Sequence, residues 1–163
     1  MLVDIPYNRS AAFEYAKEWA YKRNPRYYNF DGIGGDCTNF ISQCIYAGCG
    51  VMNYKPTFGW YYINVNDRAP AWSGVKYLYN FLTSNKGTGP VGVEVGLEDA
   101  QIGDVIQLGN DNGYYHSLVV TGVTSTEIYI ATHTLDSYMR GLSTYYYEKA
   151  RCIHITGARK YIS

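Results

Sequence analysis

The chain has no surplus of either charge: 14 Lys and Arg balance 14 Asp and Glu. Nucleic acid and anionic membrane both reward a basic surface, so neither is an expected partner. No run approaches the roughly 20 apolar residues that a membrane span needs. Residues Met1 to Asn8 lack the basic-then-apolar build of a signal peptide. Export is therefore expected to rely on sequence outside this chain or on another route. Cysteine is sparse. Cys37, Cys44, Cys49 and Cys152 include no Cys-x-x-Cys pair, which argues against a zinc ribbon or a thioredoxin motif. At 163 residues a core can form without a disulfide framework. Internal repeats, linkers and low-complexity segments are absent too. One domain over residues 1–163 is expected, as a monomer, and not a Tyr/Gly repeat module built for wall binding.

What the chain does have is tyrosine, 19 of them. A tyrosine stacks its ring and offers a hydroxyl, which suits a groove for sugar or peptide. Their spread over the whole chain equally suits packing and rimming a small sheet.

The first half reads as helix. Asn8 can cap a helix of about Arg9 to Arg23, with Ala12, Tyr15, Ala16, Trp19 and Ala20 at helical spacing. Pro25 disfavours helical geometry at Asn24 and ends it. A third helix is expected around Trp72 to Leu82, with Trp72, Val75, Tyr79 and Leu82 inward. Gly87 to Gly96 reads as a loop or a poorly paired strand. After Gly103 the pattern turns to strand: Asp104 to Leu108, Tyr115 to Thr121, Glu127 to Thr132 and Arg151 to Ile155. Asn110-Asp111-Asn112-Gly113 is turn chemistry. The later carboxylates of a calcium loop are missing from it. Helices first and strands second give an α+β domain with an antiparallel sheet.

The second helix carries the chemistry. Gly34-Gly35 allows a tight turn, and Asp36 is a good N-cap. Cys37 is then the first helical residue, followed by the apolar stripe Phe40, Ile41, Cys44 and Ile45. Ala47-Gly48 is the expected stop. Free amides and the helix dipole at Cys37 favour a thiolate, hence a nucleophile. The plainer reading is a small buried cysteine at a helix start; a nearby base decides between them.

Three histidines are available for that role. His154, between Ile153 and Ile155, reads as an edge-strand or surface residue. His116 begins one strand of a hairpin and His133 ends the other. A turn centred between Thr124 and Ser125 sets the two directly opposite, about 5 Å apart at Cβ. A one-residue slip would send one of them to the other face. In the opposed arrangement His116 is the base, and a third polar group holds its tautomer. His133 and Asp136 are the two candidates for that third role. Asp136 has an alternative partner in Arg140. The Cys37 amide, with a side-chain donor from Tyr28 or Asn29, would receive the oxyanion. Cys37, His116 and His133 as zinc ligands form a competing reading, but a glycine-capped helix start serves a nucleophile and not a metal. No metal and no cofactor is expected.

Several blocks together resemble a known family. They are Arg23-Asn24-Pro25, Tyr27-Tyr28, Gly34-Gly35-Asp36-Cys37-Thr38-Asn39-Phe40, Ser42-Gln43-Cys44, Gly103 to Gln107, Tyr115-His116-Ser117 and His133-Thr134-Leu135-Asp136. From about Tyr7 to Ile155 the chain resembles the bacterial putative amidase domain family. That family is similar to the CHAP and NlpC-type cell-wall hydrolases. Cys49 and Gly141 depart from its pattern, where a glycine and a proline are expected. The resemblance implies a papain-like fold, N-terminal helices packed on the C-terminal sheet, and hydrolysis of an amide bond in peptidoglycan. The muramoyl–L-alanine bond and a stem or cross-bridge peptide bond stay equally open. The site of action would be the bacterial wall, reached as a phage endolysin, a secreted autolysin or a spore protein. A transglutaminase-type acyltransferase would use the same residues, and a binding module with a decayed site is the non-catalytic alternative.

Overall fold

The computed structural model describes all residues, 1–163. A short strand β1 (Leu2–Ile5) precedes helix α1 (Arg9–Trp19). The Asn8 side chain caps α1, accepting from the Ala11 amide at 2.9 Å. The helix ends at Trp19, a turn before the Arg23 end expected from Pro25. Helix α2 (Cys37–Cys49) is the centre of the molecule, with 11 of its 13 residues buried. It runs past Gly48 and stops where Gly50 adopts a left-handed φ of 71°. Gly48 instead allows close packing: a Cβ there would lie 2.4 Å from the Tyr7 ring and 2.9 Å from the Asn8 carbonyl oxygen.

A two-stranded ribbon, β2 (Tyr62–Asn64) and β3 (Asp67–Arg68), leads to α3 (Pro70–Ser73) and α4 (Val75–Ser84). The single expected third helix is thus broken at Gly74. Leu78 and Phe81, with Leu82, turn inward there; Val75 and Tyr79 are only half-buried. Then come β4 (Gly89–Val95), β5 (Val105–Asn110), β6 (Gly113–Val123), β7 (Ile128–Thr132), β8 (Ser137–Gly141) and β9 (Lys149–Tyr161).

Every strand pair in the main sheet is antiparallel, in the order β1-β9-β5-β6-β7-β8, with β4 also on β9. The glycine-rich segment expected to be a loop or a poorly paired strand is a strand, paired with β9 from Gly89 to Val95. Its glycine has a packing reason, since a Cβ on Gly92 would sit 2.7 Å from Ile153. The architecture is α+β, as the order of elements implied. Helices cover one sheet face, burying Phe40, Ile41, Cys44 and Ile45 against Val105, Val119 and Ala131. The other face carries a smaller core of Ile106, Leu108, Leu118, Val120 and Ile130. No helix is long and apolar enough to cross a membrane.

Candidate active site

Gly34 and Gly35 take φ of 84° and 95°, a region closed to most L side chains, and turn the chain into α2. Asp36 follows, 1% exposed. Its carboxylate makes no capping bond to the first turn. One oxygen accepts from the Phe30 amide and from Asn39 Nδ2, both at 2.9 Å. The other lies 2.5 Å from His133 Nδ1 and 3.6 Å from Arg23 Nε. Burial pushes the Asp36 pKa up, but the bonds from His133, Phe30 and Asn39 win, and it lies below the ordinary carboxylate value. Asn39 also ties in Tyr28 through its carbonyl and Trp72 through its indole N–H. The loop before Cys37 is thus stitched to three other segments.

Cys37 heads α2 and is 7% exposed. The Ser117 and Thr38 backbone amides and the Thr38 hydroxyl face its sulfur and favour the thiolate. Burial outweighs them and raises the thiol pKa above its ordinary value. The resting group is a thiol and not the thiolate that helix position alone suggested. The Thr38 hydroxyl meets the Ser117 hydroxyl at 2.9 Å, and Gln107 Nε2 donates to Ser117 at 3.2 Å. Thr38, Ser117 and Gln107 lie in the blocks that carry the family resemblance, but sequence alone assigns them no role in the site. Only the true register reveals Ser117 as the β6 residue under Cys37.

That register differs from the expected one. Val119 pairs with Ala131 and Val120 with Ile130, and a bulge follows before Gly122 pairs with Tyr129. In this frame His133 stands across from Ser117, and His116 is shifted by one. The two histidines are not opposed. His133 falls on the helix face, stacked 3.9 Å from the Phe40 ring. Its Nε2 donates to the Trp19 carbonyl at 2.8 Å, so both its nitrogens are occupied.

His116 precedes the amide that faces the thiol. It pairs with Leu108, and its ring turns toward Tyr145, centroids 6.2 Å apart. Histidine-ring hydrogen bonds belong to His133 and His154, and the His116 ring makes none. Burial, then the nearby Arg140 cation, lowers its pKa to about 4. His116 is a neutral base with both nitrogens free of partners.

The remaining expectations divide. Asp136 pairs with Arg23 at 2.9 Å and not with Arg140, which donates to Thr144 and stacks on Tyr145. Arg23 is the better partner because it already spans Asp31 and Asp36 and gathers three carboxylates. Neither His133 nor Asp136 touches His116. His154 lies on β9, a strand inside the sheet, and pairs with fully buried Asp104 at 2.9 Å. Tyr28 is partly exposed and its hydroxyl is unbonded; Asn29 Oδ1 accepts from the Asp31 amide, leaving its Nδ2 free. All four cysteines are free thiols.

Cys37 heads α2 over Ser117, whereas His116, paired with Leu108 and beside Tyr145, lies on the other face of β6. The resting structure thus holds a thiol and a neutral base at neighbouring positions without joining them. Comparison with known proteins speaks at a coarser level. The family model described as "Putative amidase domain" matches residues 6–156. The chain belongs to that family. It is also 32% identical over 140 residues to the uncharacterized protein YhbB of Bacillus subtilis (strain 168). That alignment covers 82% of this chain and 43% of the relative, so the chain spans less than half of YhbB. No solved structure matches.

Proposed function

We propose that this domain is a cysteine-dependent amide hydrolase of papain-like fold that cleaves bacterial peptidoglycan at the cell wall. Membership in an amidase-domain family supports hydrolysis of an amide. The observation that carries the cysteine mechanism is the position of Cys37 at the head of α2, linked through the Thr38 hydroxyl to Ser117, the β6 residue next to His116.

As Sγ attacks the scissile carbonyl carbon, its proton passes to an imidazole nitrogen of His116, whose ring must swing from Tyr145 to the Cys37 side of β6 to receive it. The carbonyl π pair moves onto oxygen, where the Cys37 amide and a side-chain donor from Tyr28 or Asn29 receive it. Collapse breaks the C–N bond, and the leaving amine takes the proton from His116. Water then attacks the thioester, giving its proton to His116. The carboxylic acid departs and Sγ recovers its proton. The resting pair is neutral, so the proton moves during attack and not before it. Burial beside Arg140 disfavours the imidazolium, so the ring gives its proton up readily and takes one less readily. Asp36, His133 and Arg23 hold the Cys37 loop, a positioning role in place of the third triad seat expected for His133.

Mass spectrometry of digested peptidoglycan tests this and identifies the bond. The wild-type chain is expected to release one new amine, from L-alanine or from a peptide bond, and Cys37→Ala none. Lysis by Cys37→Ala would sink the scheme. Transfer of the acyl group to an added amine, in place of water, would make the chain an acyltransferase.

A further inference from the structure

A cavity of about 810 Å³ opens beyond the C-terminal end of α2. Twelve residue steps of helix separate it from Cys37, about 18 Å at 1.5 Å per residue. Three of the chain's seven lysines line it, Lys55, Lys86 and Lys160, and no carboxylate does. All three are exposed, and the ion pairs of this protein involve none of them. Three large rings share the walls: Tyr54, Phe58 and Tyr161, 62%, 75% and 70% exposed.

The wall that carries Lys55 and Phe58 is rigid. Asn53 and Trp60 bridge its base with two 2.8 Å backbone bonds. Between them Thr57 is held at φ 66°, costly for a β-branched residue. A Cβ on Gly59 would fall 2.3 Å from the Asn53 carbonyl oxygen. The turn therefore presents a cation and a ring in fixed positions. The 14 basic and 14 acidic residues balance over the whole chain, so this is a local concentration of positive charge on a neutral molecule.

We propose that this cavity binds an anionic glycopolymer whose sugar or polyol units are joined by phosphodiesters. The lysines neutralise successive phosphates, and the exposed rings lie along the C–H faces between them. That the polymer belongs to the cell wall rests on the proposed function; the anion binding does not. Three phosphate contacts on a molecule without net charge suit a short stretch of flexible chain. A polynucleotide would reward a longer basic track and base stacking throughout. Holding a wall polymer here would raise the local concentration of wall bonds at Cys37.

Binding of poly(glycerol phosphate) to the Cys37→Ala chain, which turns nothing over, is the test. Affinity should fall with salt with a log–log slope of about −2, three contacts at about −0.7 each. The triple variant Lys55→Gln/Lys86→Gln/Lys160→Gln, its folding checked by thermal unfolding, should bind at least tenfold more weakly. A single-stranded oligodeoxynucleotide with the same number of phosphates should bind more weakly than the polymer. Absence of polymer binding, undiminished binding by the triple variant, or equal affinity for the oligonucleotide would overturn the proposal. With Cys37 intact, the triple variant should release amine from small soluble peptidoglycan fragments at the wild-type rate. Polymer binding by a wild-type chain that releases no amine would refute hydrolysis and leave this site standing.

Discussion

His133 has no nitrogen to spare. One ring nitrogen meets the Asp36 carboxylate and the other the Trp19 carbonyl, both acceptors. His133 and Asp36 are both buried, so water cannot replace a lost partner. His133→Ala removes one partner of that pair and strands the other, a change that costs about 3 kcal/mol where the survivor stays buried. Urea unfolding should show that loss, and turnover should fall because the Cys37 loop loosens. A fully stable but inactive His133→Ala would return His133 to a catalytic role. Tyr145 is the opposite case. Its hydroxyl is buried without a hydrogen-bond partner, and its ring already serves Arg140 and His116. Tyr145→Phe removes an unpaired polar group and keeps the ring, so stability should rise by about 1 kcal/mol. A lower melting temperature would reveal a partner for that hydroxyl.

Helix α2 depends on close approach along its length. Gly48→Ala would gain helix propensity of about 1 kcal/mol. Its new Cβ would press on the Tyr7 ring and the Asn8 carbonyl, and a backbone oxygen yields little. Overpacking should win, with a net loss of about 1–2 kcal/mol seen as a lower denaturation midpoint. The start of this helix was legible in the sequence because Gly-Gly-Asp-Cys forces a turn, whatever packs around it. Its end was not, because Gly48 and Gly50 offer the same stop and only tertiary contact separates them. The same holds for the hairpin. Both strands announce themselves by β-rich composition, but the turn centres between Ser125 and Thr126, one residue later than expected, and the bulge at Thr121 takes back only half of the resulting shift. The residual one-residue slip separates His133 from His116. Asp36 itself was legible as a helix-start residue, whereas its partners come from segments up to 97 positions away. Strand β4 was obscured because its glycines suit a loop or a poorly paired strand, whereas Gly92 is there so that Ile153 of β9 can lie close.

At the scale of the molecule, the base of the proposed reaction is also a weak point of the fold. Burial and Arg140 hold the folded His116 pKa at about 4, against about 6.5 in an unfolded chain. Between those values the unfolded chain binds more protons than the folded one, so stability rises with pH across the window. The His116 contribution is complete above about pH 6.5 and is lost as pH falls toward 4. Asp36 acts lower down: its folded pKa is depressed, so its contribution disappears only as pH falls below the ordinary carboxylate value. The melting temperature of the wild type should therefore decline between pH 6.5 and 4, and that decline should flatten in His116→Gln. An unchanged pH dependence in His116→Gln would place the ring in solvent. Catalysis reads the same group differently. The folded enzyme keeps a neutral base down to about pH 4, so initial rates of kcat/KM should hold through the window in which stability is already falling. Prolonged incubation at pH 5 should then lose activity in step with unfolding and recover it on return to pH 7. An acid limb near pH 6.5 in initial rates, on a chain still folded, would mean that the base is not the buried His116 ring.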